Sequence, residues 1–263
     1  MKTTLSFVAI FLTGTALFAQ ADRKFETKYQ AGKTWVITST RVLDLDLTVT
    51  DLENQKTGRQ EKADVREKYE REFQKVEAGR PTQVRVKVLE DRHQSKPGPL
   101  EGLEIVIDGS GANGPGLTPE QKNAFRLEED FEAILPDRPV AVGAKWSLNH
   151  RDVAKFVLDT FNIAPGADGS GDCTLLAIQK VGDREVAQIQ VDLNLKGLSA
   201  TLWELRASIS GTLTYDLTNG RPEKLDLHGE LRASGDEKDD KDQVVASVEG
   251  RGILTIINTY EAR

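Results

Sequence analysis

The chain holds a single cysteine, Cys173, in 263 residues. No intramolecular disulfide can form, so the fold must be held by its core alone. Its three histidines, His93, His150 and His228, are scattered without the close spacing of a transition-metal site. Aromatic residues make up 6% of the chain, too few for the two girdles of an outer-membrane barrel. There is no Asn-x-Ser/Thr acceptor and no Gly-x-Ser-x-Gly nucleophile elbow. Cationic excess is missing as well. A net charge of −7 disfavours nucleic acid and anionic membrane surfaces as partners. No apolar run reaches the roughly 20 residues of a membrane-spanning helix.

The one apolar stretch of note lies at the start. Met1-Lys2 leads into a run from Leu5 to Phe18, interrupted by Thr13-Gly14-Thr15 and closed by Ala19-Gln20-Ala21. A positive start, a short apolar middle and an A-x-A end are what a signal peptidase reads. Residues 1–21 are therefore expected to be a signal peptide, cleaved after Ala21. The remaining chain is expected to be exported, to periplasm or medium, with no membrane span. For an exported chain, the missing disulfides and glycan acceptors favour a bacterial source. No cysteine follows the cleavage site, so a lipid anchor is not expected. Loss of Lys2 makes the exported chain more negative by a single charge.

Most of the stretch 22–263 alternates apolar and charged positions at a period of two, the pattern of half-buried strands. Leu43, Leu45, Leu47 and Val49 alternate with Asp44, Asp46 and Thr48; Val84, Val86 and Val88 with Arg85 and Lys87. The theme returns at 189–195, 205–215, 225–231 and 245–257. Short polar connectors at 182–183, 218–220 and 236–242 imply antiparallel neighbours. The expected fold class is mainly β (α+β): a large curved antiparallel sheet or half-barrel with one or two helices packed on it.

Thr118-Pro119-Glu120-Gln121 combines an N-cap, a proline at the first helical position and a capping-box glutamine. Ala124, Leu127, Phe131 and Ile134 then share one face, and Pro136 ends the run, which predicts one helix up to Ile134. Asn149 is a candidate cap for a second helix with Val153, Phe156, Val157 and Phe161 inward. Segment 61–78 fits either period. Its resolution comes from an internal echo. Gly79-Arg80-Pro81 and Gly220-Arg221-Pro222 are each followed by two polar residues and an alternating strand. The second copy links two clear strands, which makes 65–77 a strand too. Gly32-Lys33-Thr34-Trp35 and Gly143-Ala144-Lys145-Trp146 form a second echo. Together they suggest one β-rich domain over 22–263 built from two duplicated halves, 22–134 and 135–263.

Most chemical motifs weigh against a catalytic or cofactor role. Gly109-Ser110-Gly111-Ala112-Asn113-Gly114 fits G-x-G-x-x-G, but Pro115-Gly116 separates it from the next helix, so it reads as a connector. The acidic loop 236–242 contains two lysines and lacks an EF-hand pattern, and Asp168-Gly169-Ser170-Gly171-Asp172 reads likewise as a solvated loop. His150 and Asp152 could share a site only outside a helix. Cys173 heads an apolar strand and reads as a small buried hydrophobe. Trp35, Trp146 and Trp203 read as core anchors. No catalytic, metal or cofactor-binding residue is assigned, and no cofactor is expected.

Leu135-Pro136-Asp137-Arg138-Pro139-Val140-Ala141-Val142-Gly143-Ala144-Lys145-Trp146 resembles a phrase of bacterial exported families of unknown function. The stretch Gly211 to Gly229, two strands about a Thr-Asn-Gly-Arg-Pro turn, is similar to their closing meander. In architecture such families resemble the lipoprotein-carrier class, a curved antiparallel sheet half-wrapped around helices. The resemblance implies a concave apolar surface able to hold acyl chains and transfers no residue. The expected role is a non-enzymatic envelope or secreted protein that binds a lipid or other apolar ligand. A structural or interaction subunit meeting an envelope protein, and a hydrolase with a site assembled only in space, are the alternatives.

Overall fold

The computed structural model describes residues 22–127, 130–153, 168–197, 204–238, 241 and 243–263. The expected signal peptide lies outside them. The period-two segments become long strands: β1 (Thr34–Asp51), β2 (Lys56–Glu77), β3 (Arg80–His93), β4 (Lys96–Pro97), β5 (Glu104–Asp108) and β6 (Gly111–Asn113). After a crossover come β7 (Lys145–Leu148), β8 (Asp168–Val181), β9 (Arg184–Lys196), β10 (Glu204–Asp216), β11 (Arg221–Lys238) and β12 (Val244–Ala262). They form one open antiparallel sheet in the order β6-β5-β3-β2-β1-β12-β11-β10-β9-β8-β7, with β4 beside β3. The chain starts in mid-sheet, meanders to one edge, crosses to the other and meanders back. β12 then closes onto β1, with Leu43 opposite Leu254. The strand expected at 65–77 is part of β2, where Tyr69 faces Ile37 and Val88.

The echoes fall at unequal places. Each Gly-x-x-Trp string leads into the first strand of its half, β1 and β7. The Gly-Arg-Pro turns instead join β2 to β3 and β10 to β11.

One face of the sheet is apolar and buried in two clusters. The larger runs over β7 to β12 and onto β1, through Cys173, Val191, Ile209, Leu227, Ile256 and Leu45 among others. The smaller gathers Phe73, Val84, Val86, Ile105 and Ile107 from β2, β3 and β5, with Tyr29. Inward-facing glycines allow the strands to crowd there. A Cβ on Gly211 would run into the carbonyl oxygen of Asp226, and one on Gly252 into that of Asp44. Both are backbone atoms of the neighbouring strand, which cannot yield as a flexible side chain would. Glycine at such points lets a large sheet curl.

The helix predicted to run to Ile134 is shorter. The capping box forms as expected: Gln121 N–H donates to Thr118 Oγ1 (3.2 Å) and Thr118 N–H to Gln121 Oε1 (2.9 Å). Helix α1 (Pro119–Ala124) nevertheless stops at an extended Phe125, and a 3-10 turn follows at Asp130–Ile134. The packing explains the break. Phe125 and Leu127 pack on the smaller cluster, whereas Phe131 and Ile134 enter the larger one. A single straight helix face cannot serve both. Arg71 fixes the break by donating from Nη2 to the carbonyls of Arg126 (2.6 Å) and Leu127 (2.7 Å). The second helix begins as a turn over 150–153, with Asn149 Oδ1 accepting from Asp152 N–H (3.0 Å). Phe156, Val157 and Phe161 lie outside the described residues.

Candidate functional site

Between the two apolar clusters the inner face carries a polar seam. Asn258, Ser39, Glu67 and Asp91 stand in one row across β12, β1, β2 and β3. In the next row Arg41 faces Val65, which faces His93. Arg41 Nη2 lies 2.6 Å from Glu67 Oε2 in a largely sheltered ion pair. Asp91 is 1% exposed, and a buried polar side chain needs hydrogen-bond partners. It has them: Leu100 N–H donates to Oδ2 (2.8 Å), and His93 Nε2 sits 2.9 Å from Oδ1. Gly98 makes room, since a Cβ there would overlap the Asp91 carboxylate.

At the end of the seam, Arg221 closes the gap between the clusters. Its guanidinium carbon is 5.0 to 5.7 Å from the ring centroids of Phe73, Tyr29, Trp35 and Phe131. It is 1% exposed, while its sequence echo Arg80 is exposed. The rings offer their negative faces to a weakly hydrated cation, which suits a buried arginine better than a lysine. The adjoining turn is clamped. Asp216 accepts from Asn219 N–H (2.9 Å), Asn219 Nδ2 (2.7 Å) and Arg184 Nη1 (2.9 Å). Burial alone would raise its pKa, but these donors outweigh it and hold the carboxyl below the ordinary range. The N-terminal strap 22–33 is tied to the same turn, Lys28 donating from N–H to Gly220 O (3.0 Å) and from Nζ to Thr218 O (2.9 Å).

The candidate residues of the sequence lie far apart in the fold. His93 meets Asp91, but among the described residues no hydroxyl or thiol is bonded to it. His228 Nδ1 lies 3.2 Å from Thr255 Oγ1 and its Nε2 lies 2.9 Å from Asp226 Oδ1, on the exposed outer face. A carboxylate, an imidazole and a hydroxyl meet there around a His228 side chain that is 62% exposed. His150 is exposed and opens the helical turn, so Asp152 points elsewhere. Cys173 is 0% exposed, and burial, helped by Asp172 and Asp192, pushes its thiol up to about 12. It is a core hydrophobe. Loop 109–114 is the β5–β6 hairpin, where Asp108 Oδ1 accepts from Ser110 N–H and Oγ. Residues 168–172 are a correction: they are the start of β8, not a loop, and Ser147 Oγ donates to Asp172 Oδ1 (2.6 Å). The glycines at 169 and 171 are part of an alternating strand whose inner positions lack side chains. The acidic stretch 236–242 is a second correction: residues 236–238 are the end of β11, not a loop, and Glu237 pairs with Arg59; residues 239, 240 and 242 lie outside the described residues. Trp146 anchors the core by donating from Nε1 to Ile134 O (3.0 Å), and Trp35 joins the ring box. Trp203 lies outside the described residues. Among the described residues no group of His, Cys, Asp and Glu could hold a metal ion, and no helix is long and apolar enough to cross a membrane.

The polar seam and the Arg221 box had no sequence signal. Arg221 and Arg80 occupy the same three-residue string, and only the approach of four distant rings separates their fates.

No protein-family model and no curated protein matches the chain. Among solved structures, it is similar to a LolA superfamily protein from Nitrosomonas europaea at 11% identity, over 89% of this chain and 86% of that one. The TM-score of 0.21 is too low for that likeness to carry an argument about ligand or role.

Proposed function

We propose that this is a non-enzymatic exported protein that holds an apolar ligand of the acyl-chain class against the inner face of its sheet. One observation supports the reading. In the larger cluster, among the described residues, Phe25, Phe131, Ile134, Val140 and Val153 are the only buried members from outside the strands. The buried inner face is thus built almost wholly from strand residues. Besides those buried side chains, polar contacts attach the strap and crossover to the strands and to one another. Arg23 forks onto Glu185 at 3.1 and 3.2 Å, Arg23 bridges Val140, and Lys28 bonds Gly220 and Thr218. The half-exposed Arg23–Glu185 pair contributes about 0–1 kcal/mol. Burying an acyl chain gains about 0.8 kcal/mol per methylene, so a chain of moderate length can compete for the place of the cover. Export rests on the reading of residues 1–21, and the periplasm or medium follows from it.

Leu254 and Ile253 allow a direct test. They are neighbours on β12, but Leu254 lies inside, opposite Leu43, while Ile253 is 57% exposed on the outer face opposite Glu230. Titration with an environment-sensitive fatty-acid probe should show binding to the protein and to I253E, and strongly reduced binding to folded L254E. Equal binding by both variants would remove the inner face as the site. A stoichiometric envelope protein in pull-downs, with no probe binding, would favour an interaction subunit. We infer likewise that 22–134 and 135–263 are duplicated halves, because each meanders in the same direction across the sheet from a Gly-x-x-Trp start. Matching of the two halves in an alignment of relatives tests it; halves that align no better than shuffled sequences would end it.

A further inference from the structure

The outer face of the sheet carries a feature that the apolar reading does not use. Lys196, Arg206, Arg232 and Arg251 stand directly opposite one another on β9, β10, β11 and β12. All four are exposed. With strands about 4.8 Å apart, the row spans about 14 Å. Like charges placed directly opposite each other in a sheet are destabilising, and this chain is acidic overall. Arg206 is engaged by Glu204 at 2.6 Å. Arg232 and Arg251 form no ion pair within 4.0 Å among the described residues, although Asp46 and Glu249 stand close by. Two adjoining grooves overlie the row and share Arg206. One, of about 590 Å³, is lined by Arg206, Arg232 and Arg251 with Asp46 and Glu249. The other, of about 440 Å³, adds Lys196. Apart from Asn194 and Leu195, the remaining lining is small or hydroxylic, including Ser208, Ser234 and Thr48.

We propose that this row is a binding site for a soluble anion carrying two or more phosphate groups. Planar guanidinium forks match phosphate oxygens two at a time, and neighbouring hydroxyls supply neutral donors. A cation row only about 14 Å long suits a compact anion, and the carboxylates of Asp46 and Glu249 on the lining oppose any anion, free or at a membrane, which sets a limit on affinity. The row lies on the opposite face from the apolar interior, so it stands or falls apart from the proposal of acyl-chain binding.

The test uses inorganic tripolyphosphate. Calorimetric titration should show saturable binding that weakens as salt is raised, with a rise in Tm as the ligand stabilises the folded state. The R232Q/R251Q variant, changed only at exposed positions, should fold with an undiminished Tm and bind at least tenfold more weakly. K180Q, an exposed cation outside the row, should bind like the parent. Flotation with phosphatidylglycerol vesicles separates the two sources of phosphate. Absence of tripolyphosphate binding up to about 1 mM, a level at which only weak association is expected, would overturn the proposal. So would unchanged binding by R232Q/R251Q, or attachment to vesicles without binding of the free anion.

Discussion

Replacing Arg221 is the sharpest probe of how the two clusters are joined. Its guanidinium is 5.0 Å from the Phe73 centroid, 5.1 Å from Tyr29, 5.2 Å from Trp35 and 5.7 Å from Phe131. Each contact contributes about 0.5–2 kcal/mol, which for four rings gives about 2–8 kcal/mol of attraction. Against it stands a desolvation cost of several kcal/mol for a charge that is 1% exposed. Attraction and desolvation nearly cancel, so the volume of the side chain decides the outcome. R221A empties the box and should cost about 3–5 kcal/mol, the usual range for truncating a large core group. R221M keeps an unbranched stem among the rings and should cost only about 1–2 kcal/mol. Equilibrium unfolding in urea, followed by tryptophan fluorescence, measures both, and Trp35 reports from within the box. At about 2–4 °C per kcal/mol for a chain of this size, R221A should lower Tm by about 6–20 °C. An R221A protein within 1 kcal/mol of the parent would refute the box as a core element. Equal losses in R221M and R221A would show that charge, not volume, holds the seam.

Further outcomes follow from the same geometry. Gly220 has φ +64°, and a Cβ there would strike the Glu26 carbonyl oxygen. G220A should therefore cost about 2–3 kcal/mol by denaturant unfolding, of which about 1–2 is backbone strain; a loss below about 0.5 would mean that the strap is not seated on the turn. Asp216 has its folded pKa lowered, so its contribution is present above the unfolded value of about 3.9 and is lost as pH falls through the folded one. Urea midpoints measured from pH 6 downward should fall less steeply in D216N than in the parent. Cys173, with its thiol pushed up to about 12, should stay unmodified by a thiol-reactive dye at pH 8 until denaturant is added. Rapid labelling of the folded protein would contradict its burial.

Strand identity was legible wherever one face is wet, because alternation encodes the pleat directly. Leu43 to Val49, Val84 to Val88 and Ile189 to Leu195 all fall in strands with the expected inward side. Glycines hid some of the pattern: at β8 the inner positions 169 and 171 carry no side chain, so a strand read as a loop. The capping box at Thr118 was readable because it is local. The early end of α1 was not, since Phe125 and Phe131 diverge toward clusters assembled from strands far away in sequence. The same limit applies to Arg221, whose four rings come from 29, 35, 73 and 131. The row of cations on β9 to β12 depends on register across four strands, which no local spacing reveals.

Native mass spectrometry of the protein purified from an envelope extract tests the central claim most directly. The account predicts a folded protein carrying an apolar adduct in the mass range of one lipid, lost on mild activation and restored by added fatty acid. A protein that is homogeneously ligand-free, and that takes up neither fatty acid nor the fluorescent probe, would contradict it.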